Sequence, residues 1–255
     1  MSSKTFDQQV AIVTGAGQGI GFEICRQLAI QGASVILNDL DEKLVSTSVA
    51  QIKKENGKCL GLAGDSAKMP VIQQMVSTAV NEFGKLDIVI ANAGITLFGD
   101  FLDYPPESFY RVMEVNMGGS FFLAQQAAIQ IKKQGTGGSI LFTSSVTGHQ
   151  AHKNLAAYGM TKAAVEMLAK NLVIELSEFN INVNAIAPGF IVTDMTAKAL
   201  NTDPERKQKV LSRTPMGYMG TPADVAQTAL FLATDSSKYI TGTSIRVDGG
   251  NAIGF

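Results

Sequence analysis

The feature that most constrains the fold of this chain is a regular alternation between short apolar runs and longer segments of helical period. The short runs are predicted strands: Val10–Thr14, Ser34–Asn38, Lys58–Ala63, Leu86–Ala91, Ser139–Thr143, Asn182–Ala187 and Ser244–Val247. The longer segments are predicted helices: Ile20–Gln31, Glu42–Asn56, Pro70–Phe83, Glu107–Lys133, Ala156–Glu178 and Ala223–Thr234. Continuously apolar strands are typical of a parallel sheet buried on both faces. The alternation therefore predicts an α/β fold, with one doubly wound parallel sheet of about seven strands and helices on both faces.

One long stretch, Phe190–Thr221, interrupts this rhythm between the sixth strand and the last helix. An insertion of that length in a compact domain is more often a binding loop or lid than a linker. We therefore predict a single domain over residues 1–255 with a substrate lid near 190–221. Met195, Met216 and Met219 could give this lid an adaptable apolar wall, although ordinary core packing explains them equally well.

Composition narrows the classes of partner and compartment. With 21 basic and 22 acidic residues the net charge is −1, which argues against a nucleic-acid or anionic-membrane partner. The polar N-terminus lacks the apolar core of a signal peptide, and no apolar run is long enough to span a membrane. A cytoplasmic protein is expected. Cys25 and Cys59 are isolated, so free buried thiols are expected and a metal site is not.

A glycine-rich turn follows the first predicted strand. It contains Gly15, Gln18, Gly19, Ile20 and Gly21, with the glycines spaced GxxxGxG. Glycines at such a turn let the backbone approach a phosphate, and the N-terminus of the following helix offers unpaired N–H groups. Glycine turns also serve purely structural roles, but the position after the first strand of a βαβ unit favours dinucleotide binding.

The second predicted strand is followed by Asp39, 18 positions after Gly21. An acidic residue there could hold the ribose diol of a dinucleotide by two hydrogen bonds. It would repel a 2′-phosphate, and the neutral Gln18 could not pair with one, so NAD is expected and NADP is disfavoured. The alternative for Asp39 is a helix N-cap, which Asp41 could provide instead.

Further candidates follow the third and fourth strands. Asp65 could accept a hydrogen bond from an adenine amino group, or it could cap a helix. Asn92, Ala93 and Gly94 lie where the cofactor is expected, and their small size permits close backbone approach, although a simple turn also explains them.

Tyr158 and Lys162 are four residues apart in a predicted helix, so their side chains share one face. An adjacent ammonium would lower the tyrosine pKa and make the phenol a proton-transfer group. Random placement would give about 0.3 such pairs in this chain, so a surface lysine beside a half-buried tyrosine stays open. Ser145, 13 residues before Tyr158, could donate to a substrate oxygen or cap the strand end.

These motifs together resemble the classical short-chain dehydrogenase/reductase family. The matching pieces, in the family's order and over nearly the full length, are TGAGQGIG, Asp39, NAG at 92–94, Asn116, Ser145, Tyr158-x-x-x-Lys162, Pro188-Gly189 and the closing VDGG. The resemblance implies a Rossmann-type NAD-dependent oxidoreductase. It would transfer hydride between nicotinamide and a secondary alcohol or ketone, without a metal.

The resemblance also implies roles for individual residues. Tyr158 would be the acid/base, Lys162 would lower its pKa and bind the nicotinamide ribose, and Ser145 would hold the reacting oxygen. Asn116 would interrupt a helix and hold a water in a proton relay from the lysine. Pro188, Gly189, Ile191 and Thr193 would belong to the segment that binds the nicotinamide carboxamide. A homotetramer is expected because the family packs the helices equivalent to Glu107–Lys133 and Ala156–Glu178 across an interface.

The substrate is less constrained. The segment from Arg213 to Pro222 resembles the glucose 1-dehydrogenases, but its pattern also occurs in 3-oxoacyl-acyl-carrier-protein reductases. His149 and His152 precede Tyr158 and could contact substrate, although simple exposure is favoured. A nucleotide-fold methyltransferase would have no use for Ser145, Tyr158 and Lys162 together. A non-catalytic NAD-binding regulator remains an alternative of another class.

Overall fold

The computed structural model describes residues 4–193, 196 and 204–253. Their strands form one seven-stranded sheet in the order β3-β2-β1-β4-β5-β6-β7, and every neighbouring pair is parallel. The strands are β1 Val10–Val13, β2 Ser34–Asp39, β3 Lys58–Ala63, β4 Ile88–Ala91, β5 Gly138–Thr143, β6 Ile181–Pro188 and β7 Ser244–Val247. The predicted α/β fold is confirmed, and each predicted strand matches an observed one with small shifts at the ends.

The helices connect these parallel strands. They are α1 Gly19–Ile30, α2 Glu42–Lys54, α3 Met69–Phe83, α4 Pro106–Val112, α5 Ser120–Gln134, α6 Ala156–Leu176, α7 Pro204–Ser212 and α8 Pro222–Leu232. The predicted continuous helix Glu107–Lys133 is wrong in its middle, where a π-helix, Met113–Gly119, separates α4 from α5. The helix α7 lies within the predicted lid and was not predicted. Met195 and the rest of 194–195 and 197–203 lie outside the described residues.

Both faces of the sheet are covered, because side chains along each central strand alternate between two apolar cores. In β1, Ala11 and Val13 pack on the side of α1, α2 and α8, while Val10 and Ile12 pack on the side of α3, α5 and α6. All four are at most 2% exposed. The central strands are therefore fixed from both sides, and the loops at their carboxyl ends extend from a rigid base.

The strand order places a topological switch point between β1 and β4. The chain leaves β1 towards β2 and returns at β4 on the other side, so the loops after β1 and β4 diverge and leave a crevice.

Among the described residues, no helix is long and apolar enough to cross a membrane.

Candidate active site

The glycine turn after β1 lies against the end of β4. Gly15 has φ +59°, and a Cβ on it would lie 2.7 Å from Cα of Ala93. A Cβ on Gly21 would lie 2.5 Å from the carbonyl oxygen of Gly15. Helix α1 begins at Gly19, so its N-terminus opens into the crevice. The glycines thus let the turn pack closely against β4, and the helix N-terminus beyond it offers N–H groups to which a phosphate can bind.

Asp39, at the end of β2, contacts the glycine turn from the side of β2. Its Oδ2 accepts a hydrogen bond from the backbone N–H of Gly17 at 2.9 Å. Asp39 does not cap α2, because Asp41 is the N-cap and accepts from the N–H groups of Lys43 and Leu44. The structure therefore removes the capping alternative for Asp39 and leaves its carboxylate at the rim of the crevice.

Asn92 connects the glycine turn to β4. Its Nδ2 donates to the carbonyl oxygens of Thr14 and Gly15, at 2.9 and 3.0 Å. The Thr14 hydroxyl in turn accepts from the backbone N–H groups of Asn92 and Ala93, both at 3.1 Å. Asn92 is thus more than a turn residue, since its amide fixes the distance between the two loops of the crevice.

These loops enclose a cavity of about 460 Å³ at the carboxyl edge of the sheet, called here the central cavity. Every residue predicted to bind the cofactor lines it: Gly15, Gln18, Gly19, Ile20, Gly21, Asp39, Asp65, Asn92, Ala93, Gly94, Tyr158, Lys162, Pro188, Gly189, Ile191 and Thr193. Ser145 lines it as well. The cavity therefore runs from Asp39 past the glycine turn to Tyr158, as a dinucleotide with its nicotinamide beside the tyrosine would require.

Tyr158 and Lys162 share the face of α6 that borders this cavity. The Nζ of Lys162 lies 5.5 Å from the centre of the Tyr158 ring and donates to the carbonyl oxygen of Thr143 at 2.7 Å. Lys162 is only 4% exposed, and burial lowers the pKa of its ammonium to about 8. The ammonium is thus held beside the phenol by the end of β5.

The expected lowering of the Tyr158 pKa is not what this structure shows. Burial raises the pKa of the phenol above its ordinary value, and hydrogen bonding to Ser145 and Thr96 opposes that effect without overcoming it. The Oγ of Ser145 also accepts from the N–H of Thr147 at 3.2 Å, so Ser145 caps a short turn and faces Tyr158 at the same time. In this arrangement the phenol carries its proton at neutral pH.

Asn116 lies behind the lysine rather than in the wall of the cavity. It is 1% exposed and sits in the π-helix, so the expected interruption of a helix occurs at this residue. Its Nδ2 donates to Thr161 Oγ1 and to the carbonyl oxygen of Ile95, and its Oδ1 accepts from the N–H of Ile95. A Cβ on Gly94 would lie 3.2 Å from Lys162 Nζ and 3.4 Å from Asn116 Oδ1, so the ammonium and the amide both approach Gly94.

Asp65 at the far end of the cavity is part of a charged cluster. Its Oδ2 accepts from Arg111 at 3.0 Å, and Arg111 also contacts Glu114, which pairs with Lys68. Asp65 is not the N-cap of α3, since Lys68 occupies that position. Sequence reasoning missed Arg111 and Thr96. Thr96 lies two residues after the NAG motif, and that position could have indicated it. No sequence pattern indicates Arg111.

The two histidines before Tyr158 and the predicted lid both contact other parts of the protein. The imidazole of His149 is 27% exposed and contacts Glu166, while His152 is half-buried with its ring against Phe190. The favoured exposure therefore holds for His149, which is an exposed residue that also contacts Glu166, and is wrong for the half-buried His152. Thr193 lies beside the glycine turn, because a Cβ on Gly19 would be 3.4 Å from its Cγ2. Met216 is 58% exposed and does not belong to the core.

Comparisons with known proteins agree with this arrangement. A family model described as enoyl-(acyl carrier protein) reductase matches residues 15–252. L-rhamnose 1-dehydrogenase (NAD(P)(+)) of Azotobacter vinelandii is 37% identical over 95% of this chain and 96% of its own. The 7alpha-hydroxysteroid dehydrogenase of Escherichia coli is 36% identical over 96% of this chain and 94% of its own.

Solved structures give the same result. A 7alpha-hydroxysteroid dehydrogenase complexed with NADH and 7-oxo glycochenodeoxycholic acid has a TM-score of 0.92 at 35% identity, covering 97% of this chain and 96% of that one. A short-chain dehydrogenase/reductase from Mycobacterium marinum also has a TM-score of 0.92, at 32% identity, covering 98% and 97%.

The fold and the site together define a nicotinamide-dependent oxidoreductase that acts on CH–OH groups. The chain belongs to the classical short-chain dehydrogenase/reductase family.

Proposed function

We propose that this enzyme transfers hydride between NAD(H) and a secondary alcohol or its ketone, with Ser145, Tyr158 and Lys162 as its catalytic residues. The observation that carries the proposal is their convergence, since all three line the same end of the central cavity. A non-catalytic NAD-binding regulator would have no need for a serine hydroxyl, a phenol and a buried ammonium at one spot.

The proposed reaction begins with the alcohol oxygen between the hydroxyls of Ser145 and Tyr158. Bound nicotinamide supplies the hydride acceptor. Tyr158 takes the hydroxyl proton, and Ser145 holds the oxygen as it becomes a carbonyl. Because burial raises the Tyr158 pKa, the phenol is ready to donate a proton in carbonyl reduction. To act as a base in oxidation it depends on the positive charge of Lys162 and on the hydroxyls of Ser145 and Thr96.

We propose that Asn116 assists this reaction from its position behind Lys162. Its amide is fixed by hydrogen bonds to Ile95 and Thr161 and lies, like the ammonium, close to Gly94, which suits a relay that leads from Lys162. We propose that Lys162 holds the nicotinamide ribose, that Pro188, Gly189, Ile191 and Thr193 contact the carboxamide, and that Asp65 meets the adenine.

NAD is proposed over NADP because the carboxylate of Asp39 stands at the rim of the glycine turn. Its contact with Gly17 directs it towards the place where a ribose attached to the phosphates would lie. A 2′-phosphate there would meet a negative charge, and Gln18 offers no compensating cation.

We propose a sugar as the first substrate class to test, with the glucose 1-dehydrogenase-like segment and the similarity to L-rhamnose 1-dehydrogenase as support. A 3-oxoacyl-acyl-carrier-protein reductase is the alternative. The similarity to a 7alpha-hydroxysteroid dehydrogenase adds steroid alcohols to the candidate substrates. The chain is proposed to act as one domain with a lid near 190–221, as a cytoplasmic homotetramer.

The test is NAD⁺ reduction over a panel of L-rhamnose, D-glucose, polyols, a 7α-hydroxysteroid and 3-hydroxyacyl thioesters. Wild type should oxidise at least one of them. Tyr158→Phe should lower kcat by about 10²–10⁴-fold while the Kd for NAD⁺ changes less than about threefold, because the phenol oxygen contributes to chemistry rather than to cofactor binding. Equal turnover by Tyr158→Phe would overturn the catalytic assignment. A wild type that binds NAD⁺ and oxidises nothing would favour the regulator.

A further inference from the structure

The segment that carries Ser145 is attached at both ends to one carboxylate oxygen on α6. Ser144, immediately before Ser145, donates from Oγ to Oε1 of Glu166 at 2.6 Å. His149, four residues after Ser145, contacts the same Oε1 through Nε2 at 2.9 Å. Segment 144–149 therefore has two attachment points, and Ser145 lies between them.

The chemistry of these contacts assigns the donors. A carboxylate can only accept, so the Ser144 hydroxyl and the His149 Nε2–H are the donors to Glu166. The Ser144 hydroxyl also lies 2.9 Å from the carbonyl oxygen of Lys162, so its one proton is shared between two acceptors, of which Glu166 is the nearer. The 2.6 Å distance is that of a charge-assisted O–H···O⁻ bond. Ser144 is 2% exposed and the Glu166 side chain 11%, so water has little access to replace the carboxylate as acceptor. Removing Glu166 would leave Ser144 with the carbonyl oxygen of Lys162 at 2.9 Å and His149 with the more distant Oγ of Ser244 at 3.5 Å, so no single group would join the two ends of the segment.

The backbone between the two attachment points rests directly on α6. A Cβ on Gly148 would lie 3.0 Å from the carbonyl carbon of Lys162 and 3.1 Å from the N of Ala163. On the helix side, a Cβ on Gly159 would lie 3.1 Å from the carbonyl oxygen of Thr147. Because glycines form these contacts, the segment approaches the helix backbone closely, and the polar bonds of Ser144 and His149 help to set its position along the helix.

Tyr158, Lys162 and Glu166 follow one another at intervals of four on α6, so they share one helical face. We propose that Glu166 is a positioning residue that holds Ser145 opposite Tyr158, and that His149 is the second half of this attachment. The proposal rests on the proposed function, because it matters for turnover only if Ser145 and Tyr158 act together. Neither residue touches the substrate in this role. A displacement of about 1 Å at a reacting group can lower the rate by about 10²-fold.

Steady-state kinetics on Glu166→Ala and Glu166→Gln test the proposal, with NAD⁺ and whichever panel alcohol wild type oxidises fastest. Glu166→Ala should lower kcat by about 10–100-fold and leave the KM for NAD⁺ within about twofold, because Glu166 does not line the central cavity. Glu166→Gln keeps a side-chain oxygen that can accept from Ser144 and His149, so it should restore kcat to within about fivefold of wild type. A folded Glu166→Ala enzyme with wild-type kcat would overturn the proposal. So would a Glu166→Gln enzyme as slow as Glu166→Ala, since that result would assign Glu166 a role through charge.

A double mutant tests whether Glu166 and His149 act through one shared attachment or independently of each other. His149→Leu removes the donor and should lower kcat by about 3–10-fold, and His149→Gln, which can still donate from Nε2, should recover most of that loss. Combined with Glu166→Ala, His149→Leu should add no further loss, because the acceptor is already gone. Fully additive losses would contradict a shared attachment.

Amide hydrogen exchange gives a readout without turnover. The N–H groups of Gly148, His149 and Gln150 are bonded within the turn, to the carbonyl oxygens of Ser145 and Val146. They should exchange faster in Glu166→Ala and His149→Leu, while the core strand β5 keeps its protection. Unchanged exchange in this turn would overturn the proposal. If wild type oxidises no panel alcohol, the proposed function fails and this measurement alone decides whether the attachment exists.

Discussion

Lys162 donates from Nζ to the carbonyl oxygen of Thr143 at 2.7 Å, which seats a buried ammonium at the end of β5. Burial lowers the pKa of this group to about 8 from its ordinary value of 10.5. Below pH 8 the folded protein must therefore keep a charge that the unfolded chain solvates freely. Lys162 is in this sense a group that the fold tolerates at a cost in stability.

This cost predicts a pH dependence of stability. Between pH 8 and 10.5 the unfolded chain binds more protons at Lys162 than the folded protein, so the free energy of unfolding contributed by this group rises with pH. The rise should total about 3 kcal/mol over the whole titration, of which about 2 kcal/mol falls between pH 7.5 and 10, and it should be missing in Lys162→Met. Urea unfolding of both proteins at pH 7.5 and 10 measures it as a difference, in which the other titrating groups cancel. Parallel pH dependence in the two proteins would contradict a lowered lysine pKa.

Asp39 predicts the cofactor preference, and the structure supplies a matched control. Asp39→Asn keeps an oxygen that can accept from Gly17 N–H but removes the charge. The NAD-over-NADP ratio of kcat/KM should therefore fall by about tenfold or more, as repulsion of the 2′-phosphate is lost. Asp41→Ala instead removes the cap of α2 and should cost about 1 kcal/mol of stability with an unchanged ratio. Kinetics with both cofactors and thermal melts distinguish the variants. A preference that shifts equally in both would show that the effect travels through α2.

The glycine turn gives a steric prediction. Gly15→Ala would place a methyl group 2.7 Å from Cα of Ala93 in a backbone with φ +59°. We expect the Kd for NAD⁺ to rise at least about tenfold, because the turn or β4 must move. Gly135→Ala has a similar φ of +70° and nothing within 4 Å, so it should lower stability by about 1 kcal/mol with an unchanged Kd. Titration of NAD⁺ by calorimetry tests both. Equal cofactor affinity in Gly15→Ala and wild type would argue against close approach at this turn.

Much of the fold and the candidate site could be predicted from sequence, because both depend on local signals in order along the chain. Apolar runs located the seven strands, and parallel pairing then brought the residues that follow them to one edge. The pKa of Tyr158 could not be predicted in this way. Burial depends on packing from several elements at once, and it outweighs the neighbouring groups that the sequence shows.

The contacts of Glu166 were equally hidden. Glu166 is an ordinary charged residue in a helical run, and its partners Ser144 and His149 lie 22 and 17 positions earlier. Their meeting depends on how the turn after β5 folds back on α6. Arg111 joins Asp65 for the same reason, since the two are 46 residues apart.

The proposed homotetramer predicts an interface on α6. Met160, Met167 and Ile174 are spaced by seven residues and are 56%, 54% and 85% exposed, so they form an apolar stripe along one side of the helix. Exposed stripes of this kind mark interaction surfaces. Ile174→Glu should place a charge in the contact and convert the assembly to smaller species, measured by light scattering after size exclusion. Lys54→Glu, on α2 across the sheet, introduces the same carboxylate and should leave the assembly intact. A wild-type mass unchanged by Ile174→Glu would exclude this stripe from the interface, and a monomeric wild type would refute the tetramer itself.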